Sequence, residues 1–216
     1  MKILVCASAR NLSPAFFAAT TEIGHHIGEK KYTLIYGGGD IGLMAEAARA
    51  SAEAGGLVKG YIPQVFNKIT PQQPHTNIKT DVVETIFERK ERMLFDSDIL
   101  LVLPGGIGTY DEIFEGATAN DIQCFADDTQ KLKPIVIANF PDESGVPYFR
   151  GLKLSLEDAV RNKAIDPSRL NMFHFAENVE GLKAWLDYYA DKGIPPAASA
   201  KFPAQLHDWD DGPSFS

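Results

Sequence analysis

Short apolar runs alternate with amphipathic stretches from one end of the chain to the other. Residues 3–9, 32–36, 57–62, 98–103, 134–140 and 172–175 read as strands, and several lack strict apolar–polar alternation. A parallel strand covered on both faces has that signature, because neither side of its pleat meets water. Between them, residues 14–30, 43–54, 84–97, 109–122, 154–162 and 179–190 read as helices. The second is alanine-rich and stops at Gly55-Gly56, where glycine can take the left-handed conformation that ends a helix. Strand–helix repetition of this kind predicts right-handed crossovers and an open, doubly wound parallel sheet: a Rossmann-like α/β fold in one domain.

Two segments break the rhythm. Residues 64–77 are polar and carry Pro71 and Pro74, which predicts a long surface loop. Residues 194–216 are rich in proline and acid, as in Ile194-Pro195-Pro196 and Asp208-Trp209-Asp210-Asp211, and are expected to be disordered or laid along a neighbour. The domain is therefore drawn over residues 1–193. No internal repeat is visible.

Composition narrows the function. The 216 residues include 21 Lys and Arg against 29 Asp and Glu, a net charge of −8. That balance opposes general attraction to nucleic acid or an anionic membrane, since a polyanion must be met by a basic surface. It still allows one small anion held by a local basic cluster. No apolar run approaches the ~18 residues of a membrane span. The apolar start, Ile3 to Ala9, is followed at once by Arg10 and reads as a first buried strand rather than a signal peptide, which implies a cytoplasmic protein. Cys6 and Cys124 make neither a disulfide framework nor a zinc spacing, and Cys6 reads as a small buried apolar residue. No metal or cofactor is expected.

Two glycine-rich turns carry candidate chemistry. Gly37-Gly38-Gly39-Asp40-Ile41-Gly42 follows a strand and opens a helix, matching the dinucleotide pattern literally. That pattern also needs an acid about 20 positions on, to hold a ribose hydroxyl. The chain there reads Gly60-Tyr61-Ile62-Pro63, which disfavours an NAD-dependent enzyme and leaves a tight turn open to another ligand. The second turn is Leu103-Pro104-Gly105-Gly106-Ile107-Gly108-Thr109-Tyr110-Asp111-Glu112. Its glycine N–H groups can converge on one concavity, a helix start adds about half a positive charge, and Thr109 adds a hydroxyl. It suits one phosphate, yet no Lys-Ser/Thr pair follows as in a Walker loop. Glu112 alone could be explained by helix capping, through Thr109-x-x-Glu112. Arg89 and Lys90, on the helix leading into the preceding strand, supply the cations such a site needs. Both glycine turns fall at strand carboxyl ends, where a parallel sheet opens its crevice.

Taken together, Tyr36-Gly37-Gly38-Gly39, Gly42-Leu43-Met44, Glu88-Arg89-Lys90 with Met93, Ser97-Asp98, and Pro104-Gly105-Gly106-Ile107-Gly108-Thr109 ending at Glu112 resemble the LONELY GUY (LOG) family. The resemblance runs over residues 3–166, about three quarters of the chain. It implies a phosphoribohydrolase that cleaves the N-glycosidic bond of a nucleoside 5′-monophosphate, AMP or a cytokinin riboside monophosphate, to free base and ribose 5-phosphate. Matching positions make Arg89 and Glu112 the catalytic pair. They place Lys90, Gly105, Gly106, Ile107, Gly108, Thr109 and Thr118 at the nucleotide, with Ser8, Gly39 and Met44 from the earlier turns. The resemblance further implies a homodimer or higher homo-oligomer with the site near the subunit interface. Members often carry the label lysine decarboxylase, but no residue pattern here suggests a pyridoxal phosphate Schiff base.

Several positions depart from the family pattern. Ala7-Ser8-Ala9 replaces a common Gly-Ser-Ser, Ala45 stands where a glycine is usual, and Ile86-Phe87 replaces Met-His. Gln64-Val65 stands where a basic residue and a glutamate are frequent. These leave a pyrimidine (CMP-type) N-glycosidase open as an alternative. A nucleotide-sensing module without turnover is a further one, set against the presence of both Arg89 and Glu112. The five histidines lie outside the motifs.

Overall fold

The computed structural model describes residues 1–69, 75–126 and 132–194, with side chains throughout except at 123–126. The proposed tail beyond Ile194 and the Cys124 side chain lie outside the described residues.

Seven parallel strands form one sheet in the order β4-β3-β2-β1-β5-β6-β7. They are β1 (Lys2–Cys6), β2 (Thr33–Tyr36), β3 (Leu57–Pro63), β4 (Ile78–Val83), β5 (Ile99–Val102), β6 (Ile135–Ala138) and β7 (Phe173–Ala176). The helices are α1 (Pro14–Glu29), α2 (Gly42–Glu53), the short α3 (Gln64–Asn67), α4 (Ile86–Asp96), α5 (Ile107–Ala126), α6 (Arg150–Arg161) and α7 (Val179–Lys192), with a 3-10 turn over Pro167–Met172. The doubly wound sheet expected from the alternating runs is thus present. Its central strands β1, β5 and β6 have almost no exposed side chains, which is why their sequences lack alternation.

Strand β4 departs from the expected elements. Residues 78–83 lie outside the strands the sequence predicts, yet they pair with β3 from Val58↔Ile78 to Pro63↔Val83. As an edge strand β4 is largely exposed, with Val82 at 53%, and its mixed polar sequence hides it. The polar stretch before it also holds α3.

Helix starts follow local chemistry. Pro14 occupies the first turn of α1, where its missing N–H costs nothing. At α4, Thr85 Oγ1 accepts from the Glu88 N–H at 3.0 Å while the Glu88 carboxylate accepts from the Glu84 N–H at 2.9 Å. That cap starts α4 so that Arg89 falls in its first turn.

The chain leaves β1 toward β2 and leaves the adjacent β5 toward β6, on the opposite side of the sheet. Between β1 and β5 lies the switch point, where loops diverge and a crevice must open. The two loops are stitched together there, with the Ser8 N–H donating to the Pro104 carbonyl at 3.1 Å.

Candidate active site

A cavity of about 810 Å³ opens over these strand ends. Its polar side takes Ser8 and Arg10 from the turn after β1, Gly37 and Gly39 from the turn after β2, Arg89 from α4, and Gly106 to Thr109 with Glu112 from α5. Ile41, Met44, Ile62, Phe66, Ile69 and Ile86 make the other side apolar.

Arg89 and Glu112 meet at its base, Nη1 to Oε1 3.5 Å apart, with side chains only 15% and 12% exposed. The Arg89 Nε–H also donates to the Gly37 carbonyl at 3.2 Å. A Cβ added to Gly37 would lie 1.7 Å from Arg89 Nη2. The glycine at 37 is therefore a recess for the protein's own guanidinium, where the sequence suggested approach by another ligand. Gly38 and Gly42 supply the turn itself, with φ of +77° and +67°.

Glu112 lies within α5 rather than at its cap. The helix begins at Ile107, so Thr109 is already inside it and the capping-box explanation of Glu112 fails. Burial pushes the Glu112 carboxyl above its ordinary value of 4.5. The Arg89 charge and a hydrogen bond from the Cys6 thiol pull the other way, without cancelling that rise. Cys6 is fully buried, as expected, but it also sits beneath the glutamate. Burial and the neighbouring Glu112 push its thiol well above the usual range. A thiol so buried and so hard to ionise is an inert donor rather than a nucleophile.

The glycines of the second turn divide the work. A Cβ on Gly106 or Gly108 would meet nothing within 4 Å, so both turn an open backbone face outward. Gly105 builds the loop instead, since a Cβ there would fall 2.0 Å from Thr109 Oγ1. The Tyr148 hydroxyl donates to the Gly105 carbonyl at 3.1 Å. The first helical bond of α5 runs from the Tyr110 N–H to the Gly106 carbonyl at 3.1 Å. The N–H groups of Ile107, Gly108 and Thr109 thus precede it, as at any helix start, and are available to an anion.

Of the residues singled out in the sequence, Ser8, Gly39, Met44, Arg89, Gly106, Ile107, Gly108, Thr109 and Glu112 share this wall. Gly105 stands just behind it. Lys90 and Thr118 are placed elsewhere. The Lys90 ammonium, 13% exposed, binds Asp111 at 3.0 Å and Glu115 at 3.2 Å and so straps α4 to α5. Thr118 lines a second cleft of about 540 Å³ beside Phe114, Ile165 and Arg169. Sequence reasoning missed Arg10, and it missed the apolar side formed by Ile62, Phe66, Ile69 and Ile86. His174 is a core residue, 2.7 Å from the Tyr189 hydroxyl and stacked on Trp185, while His26 bonds Asp187 at 2.9 Å. Among the described residues, no group of three or more His, Cys, Asp or Glu side chains could hold a metal. No described helix is long and apolar enough to cross a membrane.

Fold and site together define a doubly wound α/β protein whose switch-point crevice pairs an arginine with a glutamate beneath a glycine-rich helix start. A family model described as possible lysine decarboxylase matches residues 44–186. A cytokinin riboside 5′-monophosphate phosphoribohydrolase of Rhodococcoides fascians is 31% identical over 159 residues, 74% of this chain and 75% of that protein. One of the same name from Mycobacterium tuberculosis is 33% identical over 161 residues, 74% of this chain and 79% of the other. The chain belongs to this family, the LOG family that its motifs resemble. Among solved structures, the molybdenum cofactor carrier protein of Chlamydomonas reinhardtii superposes with a TM-score of 0.61 at 21% identity, covering 88% of this chain and 98% of its own, a likeness of fold.

Proposed function

We propose that this protein hydrolyses the N-glycosidic bond of a nucleoside 5′-monophosphate, AMP or a cytokinin riboside monophosphate, releasing the base and ribose 5-phosphate. The observation that carries this reading is the Arg89–Glu112 pair in the same cavity wall as the open glycine turn. Two relatives that carry the name of this activity, at about one-third identity, support it.

The 5′-phosphate sits on the N–H groups that open α5, and the ribose then falls beside Glu112, one turn deeper. Cleavage of C1′–N builds oxocarbenium-like charge on the sugar. The carboxylate stabilises that charge and takes a proton from the attacking water, whose oxygen bonds to C1′. The bond's electron pair leaves with the base, which takes a proton from solvent water as it departs, and Glu112 returns the proton it received to solvent. Arg89 holds the carboxylate in place, and phosphate binding supplies the positioning. Lys90 acts on this arrangement from outside, by fixing α4 against α5. A decarboxylase working through a lysine Schiff base finds no lysine in the cavity wall, among the described residues.

The protein works as a homodimer or higher homo-oligomer in the cytoplasm. Phe87 and Phe95 on α4, with Ile107, Phe114 and Ile122 on α5, are 45% to 91% exposed, and a second copy packed on these helices would cover them. A second copy against these helices is also what would give Thr118 a part in a nucleotide site.

Chromatography after incubation with AMP, CMP, GMP, UMP and isopentenyladenosine monophosphate tests the reading. Free base and ribose 5-phosphate from AMP or the cytokinin nucleotide are expected. Release from CMP alone would move the assignment to a pyrimidine enzyme, and tight binding with no ribose 5-phosphate formed would make the protein a sensor.

A further inference from the structure

Three charged side chains contribute to the cavity wall among the described residues: Arg10, Arg89 and Glu112. Two of them are committed to each other. Arg89 faces Glu112 at 3.5 Å and spends its Nε–H on the Gly37 carbonyl, so its charge is balanced before any ligand arrives. Lys90, the cation next to it in sequence, is held by Asp111 and Glu115 outside the wall. A phosphate monoester brings about −1.5 to −2 charges at neutral pH. The start of α5 offsets only about half a charge. As built so far, the site is short of positive charge for its own substrate.

Arg10 makes up that deficit. Its backbone is fixed, with the N–H donating to Ser8 Oγ at 2.9 Å. The α2 start presses on it from the other side, where a Cβ on Gly42 would lie 2.6 Å from the Arg10 nitrogen. Its side chain is exposed, and among the described residues the guanidinium makes no ion pair or hydrogen bond. The turn that carries it abuts the phosphate loop, through Ser8 N–H to the Pro104 carbonyl and the close approach of Ser8 to Gly105. The result is an anchored backbone with an uncommitted, planar, five-donor head at the mouth of the cavity. An arginine in that setting suits bidentate capture of a phosphate.

The geometry points to Arg10 as a substrate-binding residue that holds the 5′-phosphate together with the α5 start. This rests on the proposed function, since it takes the phosphorylated sugar as the ligand. Arg10 is not a catalytic residue: it acts at the charged handle, remote from C1′.

The test measures binding of ribose 5-phosphate and of ribose by isothermal titration calorimetry, to the wild-type chain, Arg10→Ala and Arg10→Lys. Neither substitution touches the backbone bond to Ser8, and matching melting temperatures confirm the fold. Removing one charged hydrogen-bonding partner of a phosphate is expected to weaken ribose 5-phosphate by about 10- to 100-fold. Ribose is expected to bind unchanged, with partial recovery in Arg10→Lys, which keeps the charge and loses the fork. Affinity for ribose 5-phosphate within twofold of wild type in Arg10→Ala would overturn the assignment. So would equal losses for ribose and its phosphate, which would put Arg10 on the sugar. A wild type that captures ribose 5-phosphate through Arg10 but releases base from none of the monophosphates would leave Arg10 standing and remove the proposed activity. A wild type that does not bind ribose 5-phosphate would overturn the Arg10 assignment, while base release from the monophosphates decides the activity separately.

Discussion

Gly37→Ala separates activity from folding with one methyl group. Gly37 adopts a backbone open to any residue, so alanine strains no dihedral angle there. The nearest clashes are all with Arg89: the new Cβ would lie 1.7 Å from Nη2, 2.7 Å from Cζ and 3.0 Å from Nε. Carbon and nitrogen pack at about 3.5 Å, so the guanidinium must retreat by roughly 2 Å. A shift of that size breaks the 3.2 Å bond to the Gly37 carbonyl and pulls Nη1 off Glu112, now 3.5 Å away. Misplacement by about 1 Å can cost 100-fold in rate, about 2.7 kcal/mol of transition-state free energy. Base release is therefore expected to fall at least about 100-fold. The melting temperature should change by no more than a few degrees, because the displaced group is the end of a flexible side chain. Arg89→Ala should fall similarly, and the double variant no further, since both changes remove the same interaction. Steady-state kinetics with AMP on the four proteins decides it. Wild-type kcat/KM in Gly37→Ala, or a double variant whose loss is the product of the two single losses, would refute the recess.

Glu112→Gln should leave a folded protein that releases base at least about 1,000-fold more slowly, read by product chromatography; near-normal turnover would remove the proposed role. Because burial raises the Glu112 carboxyl, and catalysis needs it ionised, kcat/KM should rise with pH through a midpoint above the ordinary 4.5. A midpoint at or below that value would contradict the environment described. Asp187 gives a stability test. Burial pushes its carboxyl up, but hydrogen bonds from Lys30, His26 and Tyr32 outweigh that and hold it below 3.8. Its contribution is therefore full above the ordinary value and lost as pH falls through the lower folded one. With the side chain 32% exposed, about 1 kcal/mol is a fair discounted figure. Asp187→Asn should accordingly lower the melting temperature by about 2–4 °C at pH 7. The deficit should close as pH falls below 3.8 and through the depressed folded value, and one that persists once the carboxyl is protonated would reject the linkage.

What the sequence made legible follows from how local each feature is. The buried strands announce themselves because continuous apolar runs have no other soluble use. Strand β4 does not, since Lys79, Thr80 and Asp81 belong to an edge that pairs on one side only. The glycine turn at 105–109 and Glu112 lie within eight residues on one loop and helix, so a linear motif captures them. The purpose of Gly37 depends on where an arginine 52 positions later comes to rest, which no local pattern encodes. Arg10, Ile62 and Phe66 were likewise hidden, because only the strand order brings their loops to one cavity. Lys90 is the converse: adjacency to Arg89 suggested a shared role, but consecutive helical residues point about 100° apart, and Lys90 faces α5's carboxylates instead.

Both halves of the sheet are needed to make the reactive pair. Gly37 and Cys6 come from the β1–β2 side, while Glu112 arrives from beyond β5 and Arg89 from the helix that crosses between them. Neither half of the polypeptide can carry a partial version of the chemistry. Enzymatic turnover is consequently a reporter of complete assembly: product can form only once the two halves have docked across the seam.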